Sequence, residues 1–310
     1  MRFNELGTTG IKASVIGLGT WPFGGGYDWG TVDETELLNT VSAALDQGIN
    51  LIDTAPIYGD GSSETLLGRA LAGRRSHVVL ASKCGLVKKG SWTDHDLHPE
   101  TIRRQLTESL SRLKTDYLDL YLIHYPDPLI PLEQAAQTLL RLQEEGKIRA
   151  IGLCNVSGEE IARVAQMVPL ACVQNEYSYL RPQAGRRVAE ISRQYHISLM
   201  GYGTLAGGLL SGKYKREPNF RRADARNYFY KDARGDGFVQ ADYLARQLAQ
   251  VAQKYNKTPA IVAGAWALNQ ANFVLCGAKQ PAQIVENAQA ADLILSPEDL
   301  IFLEKQRERN

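Results

Sequence analysis

The 310-residue sequence contains few of the residues that build disulfide frameworks or cysteine-based metal sites. It has only four cysteines, and no two of them form a C-x-x-C pair. A disulfide-stabilised secreted fold and a zinc or redox site made by such pairs are therefore both disfavoured. The cysteines stand in or beside apolar runs, where reduced and buried side chains are expected: Cys84, Cys154, Cys172 and Cys276.

A large excess of charges of one sign is absent as well. The chain carries 35 basic and 34 acidic residues, a formal net charge of +1, which disfavours nucleic acids and anionic membrane surfaces as partners. No stretch approaches the roughly 18 apolar residues of a membrane-spanning helix, and Met1–Glu5 has no apolar core of the signal-peptide type. We therefore expect a cytoplasmic protein. The sequence does not determine whether it is a monomer or a homo-oligomer.

Complete phosphate loops and metal motifs are missing too. The segment Gly17–Gly19 begins a dinucleotide fingerprint but lacks its third small residue, so an open doubly wound sheet is disfavoured as the alternative fold. The segment Gly207–Lys213 matches most of a P-loop, but Tyr214 follows where a magnesium ligand belongs. The segment Trp92–Pro99, predicted to be a loop, holds two histidines without a cysteine partner. No metal site is predicted.

What the sequence does contain is a regular alternation of short apolar runs and helical segments. The runs are nearly continuous in apolar residues, as expected for parallel strands that are covered on both faces. Eight such units in succession predict a closed (β/α)8 TIM barrel, and the lack of a linker predicts a single domain over residues 1–310. The predicted strands are Ser14–Trp21, Asn50–Ala55, His77–Lys83, Tyr117–His124, Ile148–Asn155, Ala171–Tyr177, Ser198–Thr204 and Phe273–Gly277.

Capping and proline signals predict the intervening helices. The segments Thr31–Glu34 and Ser157–Glu160 have capping-box spacing, and Pro99 and Pro131 suit first helical positions. An N-terminal β-hairpin within Phe3–Lys12 is expected to plug the bottom of the barrel. The four helices that begin at these signals are predicted to end at Asp46, Arg112, Glu145 and Met167. The other predicted helices span Ser63–Ala72, Ala184–Tyr195, Ala241–Tyr255, Pro259–Gln270, Pro281–Ala290 and the extra C-terminal Ser296–Glu308.

Polar side chains stand at the ends of several apolar strands. Because the carboxyl ends of parallel barrel strands open on one mouth, these side chains are expected to converge there. An apolar strand has no structural reason to end in a lysine or an aspartate unless partners lie nearby. The residues concerned are Asp53, Lys83, His124, Asn155 and Gln174, with Tyr58 in the loop that follows Asp53.

The chemistry of this set predicts proton transfer to a carbonyl oxygen. An Asp53–Lys83 ion pair would offset the cost of burying both charges, and the Lys83 ammonium is expected to lower the pKa of Tyr58 from about 10. Tyr58 would then donate a proton near neutral pH and take it back in reverse, while His124 orients the carbonyl. No serine or cysteine nucleophile stands beside a base, which disfavours acyl transfer. These groups supply no electrons, so a hydride must come from a cofactor.

In order and context these residues resemble the aldo-keto reductase superfamily. The resemblance rests on Asp53–Ala55 with Tyr58–Gly59, Ser82–Lys83, and His124 with Pro126–Asp127, which look like that family's catalytic tetrad. It extends to further motifs across the chain, at Gly152–Asn155, Gln174–Tyr177, Leu205–Tyr214 and Gly277–Asn287. It implies a barrel enzyme that reversibly reduces aldehydes, ketones or sugar-like carbonyls with NADPH, NADH being less expected.

The resemblance also implies the cofactor-binding residues. Asn155 and Gln174 would hold the nicotinamide carboxamide, Tyr202 would stack on its ring, and Leu205–Leu210 would follow the pyrophosphate. Lys279, just before a predicted helix N-terminus that favours anions, would meet the 2′-phosphate. Cys154, Cys276 and Gly203–Thr204 depart from the family's usual residues, which puts cofactor affinity in question but not the reaction. The full predicted set is Gly19, Thr20, Trp21, Asn155, Gln174, Tyr202, Leu205, Gly207, Leu210, Gly277, Lys279, Gln283, Glu286 and Asn287.

Aromatic residues near the predicted mouth indicate a pocket for small carbonyl substrates. The long loop Gly207–Val239 contains Tyr228–Tyr230, which are expected to reach over this pocket. Two alternatives stay open. One is a cofactor-sensing binding subunit with little turnover, resembling the potassium-channel β subunits that the family includes, and the other is a barrel lyase or isomerase using the Lys83 amine. The predicted substrate-binding residues are Trp21, Phe23, Tyr58, His124 and Tyr125.

Overall fold

The protein is described by a computed structural model that covers residues 1–90 and 92–308. Eight parallel strands form a closed barrel in the order β3-β4-β5-β8-β9-β10-β11-β12, with β12 pairing with β3 to complete it. The strands are β1 Phe3–Glu5, β2 Lys12–Ser14, β3 Ile16–Gly19, β4 Leu51–Asp53, β5 Val79–Cys84, β6 Leu86–Lys89, β7 Trp92–His95, β8 Leu118–Ile123, β9 Ile148–Cys154, β10 Leu170–Glu176, β11 Ser198–Tyr202 and β12 Phe273–Gly277.

Helices surround the barrel, as the alternating pattern predicts. The predicted (β/α)8 fold is confirmed, and each of the eight predicted strands overlaps one barrel strand. The helices are α1 Gly26–Trp29, α2 Glu34–Asp46, α3 Ser62–Ala70, α4 Pro99–Leu113, α5 Leu132–Glu144, α6 Gly158–Ala165, α7 Gln183–Gln194, α8 Arg226–Phe229, α9 Gly235–Lys254, α10 Pro259–Ala267, α11 Pro281–Ala288 and α12 Pro297–Glu308.

Three helix starts differ in detail from the sequence prediction. The Ser157 capping box is present, but α2 is capped by Asp33 rather than Thr31, because the Asp33 carboxylate accepts the Glu36 amide at 3.1 Å. Pro131 precedes α5 as its N-cap instead of opening it. Helix α9 begins at Gly235, six residues before the predicted Ala241, because Gly235–Gly237 has a loop-like composition although it folds as the first helical turn.

The bottom of the barrel is closed by the β1–β2 hairpin, as predicted. Leu6 and Ile11 of this hairpin are buried and pack with interior residues such as Phe273. Gly7, at φ +57°, lies so close to Ala171 that an added Cβ would sit 2.8 Å from its carbonyl oxygen. With this end plugged, the opposite end remains for a site, where the strands have their carboxyl termini.

An additional hairpin stands at that open end. The segment 92–99 is not wholly a loop as predicted, since Trp92–His95 forms β7 and pairs with β6 in antiparallel fashion. The turn passes through Gly90 at φ +62°, and a Lys89–Asp94 ion pair of 2.7 Å joins the two strands. A strand of four partly polar residues shows little apolar periodicity, so only its pairing partner identifies it. Among residues 1–90 and 92–308, no helix has the length and apolarity needed to cross a bilayer.

Candidate active site

A buried ion pair lies at the centre of the barrel mouth. Asp53 is the last residue of β4, and Lys83 is the penultimate residue of the neighbouring strand β5. The Lys83 ammonium donates to both Asp53 carboxylate oxygens, at 2.9 and 2.7 Å, and to the Thr54 carbonyl oxygen at 3.0 Å. Lys83 is fully buried and Asp53 is 2% exposed, so each charge depends on the other for compensation.

The fourth contact of that ammonium is the phenol of Tyr58. Lys83 Nζ lies 3.1 Å from the Tyr58 hydroxyl oxygen, which places a cation directly beneath a half-buried phenol. The loop that carries Tyr58 lies close against the first barrel loop. A Cβ on Gly59 would lie only 2.2 Å from the Gly24 carbonyl oxygen. Gly59 adopts φ +61° and leaves no space for a Cβ, so the position after Tyr58 requires glycine.

Three buried hydroxyls hold the same corner, a role that sequence reasoning missed. Thr20 donates to the Asp53 carbonyl oxygen at 2.9 Å, and Ser63 of α3 donates to Thr20 at 2.9 Å. The Thr54 and Ser63 hydroxyls lie 3.0 Å apart. Thr20 is fully buried, so its side chain serves the wall behind Asp53 and is not presented to a cofactor as predicted. The hydroxyls stand on separate elements, and no spacing in the sequence reveals them.

The sequence-based expectation about the pKa of Tyr58 is wrong in sign. Burial raises the pKa of the Tyr58 phenol above its ordinary value, and the Lys83 ammonium offsets this only in part. Asp53 adds to the rise because its negative charge disfavours a phenolate nearby. Burial alone would lower the pKa of Lys83, but Asp53 raises it above its ordinary value. At neutral pH the pair is thus a protonated phenol over a protonated amine.

His124 follows β8 and faces the phenol. Its ring centroid lies 5.9 Å from that of Tyr58 in an edge-to-face arrangement, and the ring of Tyr125 stacks on it at 5.4 Å. Burial, with the nearby Lys83 charge, holds the pKa of His124 well below its ordinary range. The imidazole is neutral at pH 7 and offers one N–H donor. His95 of the β6–β7 hairpin packs against Tyr125 at 6.0 Å.

Carboxamide side chains adjoin this group. The Asn155 amide donates to the His124 carbonyl oxygen at 3.0 Å, and its oxygen accepts the Tyr202 hydroxyl at 2.7 Å. Gln174 Nε2 donates to Asp53 Oδ1 at 2.8 Å. Asn155 adopts φ +59°, a conformation that asparagine tolerates better than most residues. Asn155 and Gln174 are therefore brought to the same mouth, as their strand ends predict, and Tyr202, which the family resemblance named, lies beside Asn155.

A separate group of cations surrounds Lys279. Its ammonium donates to the Trp29 carbonyl oxygen at 2.8 Å and lies 5.1 Å from the centre of the Trp29 ring. Burial lowers the pKa of Lys279, and the charge of Arg226 lowers it further. Arg226 and Lys213 are missed by the sequence analysis, although Lys213 belongs to the motif set aside as an incomplete P-loop. Arg226 is paired with the Asp224 carboxylate at 2.8 Å, so the attraction of this edge for anions rests on Lys279 and Lys213.

The remaining predicted cofactor residues frame this cationic edge. The Gln283 side chain accepts the Lys279 backbone N–H at 2.7 Å, and Asn287 is buried on α11 beside Glu286. Gly207 and Gly208 adopt φ values of +65° and +93° within the turn 205–211, while the Leu210 side chain is fully buried. Only the backbone of Leu210 is left for a cofactor contact. Gly19 and Gly277 are paired at the β3–β12 seam.

The structure places two of the predicted substrate residues, Trp21 and Phe23, in different surroundings. The Trp21 ring lies 6.3 Å from the Tyr58 ring and contacts Phe229 of α8 edge-to-face at 4.8 Å, so it borders the mouth. Phe23 does not, because the 3₁₀ turn Trp21–Gly24 directs its side chain into the hydrophobic core, where it is 2% exposed. The prediction of Phe23 as a substrate contact is therefore wrong.

The arrangement joins a protonated phenol, a buried cation and a neutral imidazole at one end of the mouth with a cationic edge at the other.

The Aldo/keto reductase family model matches residues 15–306 of this chain. Aldo-keto reductase YhdN of Bacillus subtilis (strain 168) is 38% identical, over 96% of this chain and 91% of its own. The NADH-specific methylglyoxal reductase of Escherichia coli (strain K12) is 35% identical over 99% of both chains.

A solved structure has the same architecture. The glycerol dehydrogenase AKR11B4 from Gluconobacter oxydans superposes with a TM-score of 0.90 and 32% sequence identity, covering 99% of this chain and 95% of that one. Family model, relatives and fold agree with the chemistry of the mouth. The chain belongs to the aldo/keto reductase family and is an NAD(P)H-dependent oxidoreductase of carbonyl compounds.

Proposed function

We propose that the chain reduces small aldehydes and ketones to alcohols with NADPH, reversibly, and that Tyr58 donates the proton. The observation that carries the proposal is the 3.1 Å contact between the Lys83 ammonium and the Tyr58 hydroxyl at the open end of the barrel. Two similar proteins are a methylglyoxal reductase and a glycerol dehydrogenase, and this similarity favours small polar substrates. Asp53 and His124 complete the proposed catalytic set.

Each of these side chains has a distinct part in the proposed reaction. The carbonyl oxygen accepts hydrogen bonds from the Tyr58 hydroxyl and the His124 imidazole, which orient the carbon. When bound, the nicotinamide supplies the hydride. As negative charge develops on the oxygen, Tyr58 gives up its proton, and the adjacent Lys83 ammonium stabilises the phenolate that is left. Asp53 keeps Lys83 charged and in place.

The residues at the mouth fit a nicotinamide dinucleotide. Asn155 and Gln174 offer the donor and acceptor pairs that a carboxamide needs, and Tyr202 offers a ring face beside them. Lys279 and Lys213 supply positive charge for phosphate groups, whereas Arg226 is paired with Asp224. In this chain the Trp29 carbonyl oxygen already holds the Lys279 ammonium, so a bound phosphate would share or replace that contact.

We propose that Lys279 gives the preference for NADPH over NADH. The similar methylglyoxal reductase is NADH-specific, so the relatives alone do not assign this preference. Lys279→Ala is expected to raise the NADPH dissociation constant about tenfold or more and to change that of NADH less than about twofold, because a charge-assisted hydrogen bond to phosphate contributes about 1.5–3 kcal/mol. Binding is measured by calorimetry. Lys257→Ala, whose ammonium bonds Gln289, is the matched control. Equal losses with both cofactors contradict a 2′-phosphate contact.

Reduction and oxidation are expected to depend differently on pH. The pKa of Tyr58 is raised and that of His124 lowered, so the phenol stays protonated and the imidazole neutral between about pH 6 and about pH 9. The rate constant for reduction should therefore be nearly flat over this range. Alcohol oxidation needs the phenolate and should rise with pH throughout. Stopped-flow rates in both directions measure this, and a reduction rate that falls through an apparent pKa near 7 contradicts the assignment.

The direct test is a panel of small aldehydes and ketones assayed by NADPH absorbance with the wild type. Turnover of several aldehydes supports the proposal. Tight NADPH binding together with turnover slower than about one per minute would instead favour a cofactor-sensing subunit, since typical enzymes turn over at about 10 per second. The lyase or isomerase alternative is disfavoured because the Lys83 amine is buried, bonded to Asp53 and protonated, which leaves no free nucleophile.

A further inference from the structure

We infer that Gln174 is a positioning residue for proton transfer: it holds the Asp53 carboxylate so that the Lys83 ammonium keeps one hydrogen for Tyr58. The inference rests on the proposed function and adds a further side chain to the proton-transfer site. The family resemblance assigned Gln174 to the cofactor alone. The contact of Gln174 with Asp53 joins residues 121 positions apart in the chain, so only the folded barrel shows it.

The Lys83 ammonium has more oxygen neighbours than hydrogens. An ammonium carries three hydrogens. Asp53 Oδ1 and Oδ2 lie 2.9 and 2.7 Å from Lys83 Nζ, the Thr54 carbonyl oxygen lies at 3.0 Å and the Tyr58 hydroxyl oxygen at 3.1 Å. Tyr58 is the most distant of these oxygens, so it loses its hydrogen when all the others are satisfied by Lys83. A second donor to Asp53 relieves this shortage.

Gln174 is that donor. Its Nε2 lies 2.8 Å from Asp53 Oδ1, the carboxylate oxygen that is farther from Lys83. Because an amide hydrogen satisfies Oδ1, the ammonium can direct one hydrogen at Tyr58 as the phenolate forms. The same bond withdraws negative charge from Asp53, whose charge disfavours the phenolate. Gln174 and Asp53 are each 2% exposed, so bulk water cannot replace this donor.

Two sulfur atoms fix the orientation of the Gln174 amide. Gln174 is in register with Cys154 of β9 and Met200 of β11. The Cys154 thiol donates to Gln174 Oε1 at 3.6 Å, and Nε2 also donates to Met200 Sδ at 3.3 Å. Burial raises the pKa of Cys154 to about 12, so the thiol keeps its proton at neutral pH. A carbonyl oxygen has two lone pairs, so Oε1 can still accept a bond from a nicotinamide carboxamide.

The test begins with Gln174→Met, which keeps the side-chain length and removes the amide. The rate constant for single-turnover reduction, at saturating NADPH and aldehyde, is expected to fall at least about tenfold, because a hydrogen bond to a charged group is lost. Saturation keeps any loss of cofactor affinity out of this rate. Cys154→Ala, which removes the thiol donor, should slow reduction about threefold. Cys154→Ser should retain more of the rate, since a hydroxyl can donate to Oε1.

Gln174→Glu places a titratable group at the same point. Burial and the like charge of Asp53 raise the pKa of the added carboxyl. Protonated, the carboxyl donates to Asp53 as the amide does, and ionised, it competes for the Lys83 hydrogens. The reduction rate should therefore stay within about threefold of the wild type at about pH 6 and lie at least about tenfold below it at about pH 9.

The added carboxyl also gives a measurement without cofactor. Its pKa is higher in the folded than in the unfolded chain, so its contribution to stability is present at acidic pH and is lost as pH rises towards the folded pKa. The urea midpoint of apo Gln174→Glu should fall, relative to the wild type, between about pH 5 and about pH 8. Gln143→Glu is the matched control outside the mouth, on α5, where the amide donates to the Arg149 carbonyl oxygen at 2.8 Å. It should follow the wild type in rate and midpoint.

The outcomes separate the inference from the proposed function. A Gln174→Met rate constant within about twofold of the wild type, even with a raised NADPH dissociation constant, assigns Gln174 to the cofactor alone and overturns the inference. Equal losses in Gln174→Glu at both pH values overturn it too. If Gln174→Met does not fold, equal rates in Cys154→Ala and Cys154→Ser do the same. A wild type that oxidises NADPH with no small aldehyde overturns both the inference and the proposed function.

Discussion

Tyr58→Phe is expected to lower kcat for aldehyde reduction at least about 100-fold, the lower end of the range for a positioned general acid. The variant keeps the ring but loses the hydroxyl that lies 3.1 Å from the Lys83 ammonium. The oxygen that gains negative charge then has no proton donor beside a cation. The loss should fall on kcat, because this hydrogen bond strengthens as charge develops.

The measurement is single-turnover reduction of a small aldehyde, followed by NADPH absorbance, in the wild type and the variant. KM and the NADPH dissociation constant should change little, because the ring contacts with Trp21 and His124 remain. Tyr195→Phe, at the end of α7, is the control for the same chemical change outside the mouth. If Tyr58→Phe reduces aldehydes at the wild-type rate, Tyr58 is not the proton donor.

Lys83→Met is expected to affect both stability and catalysis. It leaves the buried Asp53 carboxylate with the Gln174 amide at 2.8 Å as its side-chain partner and no cation. Removing one member of a buried ion pair costs about 3–5 kcal/mol in the free energy of unfolding. Reduction should also slow by at least about 100-fold, because the phenolate of Tyr58 loses its stabilising charge.

A double variant separates these two effects. Asp53→Asn with Lys83→Met removes both charges, so most of the lost stability should return, since a neutral pair needs no charge compensation. The slow reduction should remain, because no cation stands beneath Tyr58. Urea unfolding gives the stability and NADPH absorbance gives the rate. Lys89→Met, which breaks an exposed ion pair with Asp94, should leave the midpoint unchanged. Recovery of activity in the double variant would contradict the role assigned to Lys83.

The position of the Asp53–Lys83 ion pair can be predicted from the sequence, but its effect on the pKa of Tyr58 cannot. Asp53 and Lys83 end neighbouring parallel strands, so a barrel topology alone brings them to one mouth. The sign of the pKa shift of Tyr58 depends on how much water the folded loops exclude. Burial and the ammonium act in opposite directions, and only the geometry shows that burial has the larger effect.

The sequence by itself determined the barrel, the order of its eight strands and the residues at their carboxyl ends. Strand and helix periodicity is local, and once eight β-α units follow each other, closure assigns every strand end to the same side. The hairpin at the bottom followed from the same local signals, with Gly7 and Gly10 in its turn.

The tertiary structure alone decided which loop residues share the mouth. It brought Lys213 beside Lys279, turned Phe23 into the core and placed the Trp29 carbonyl oxygen on the Lys279 ammonium. These contacts join segments up to 250 residues apart in the chain. Loop conformation depends on glycine dihedral angles and on packing between distant segments, and no local pattern of residues records either.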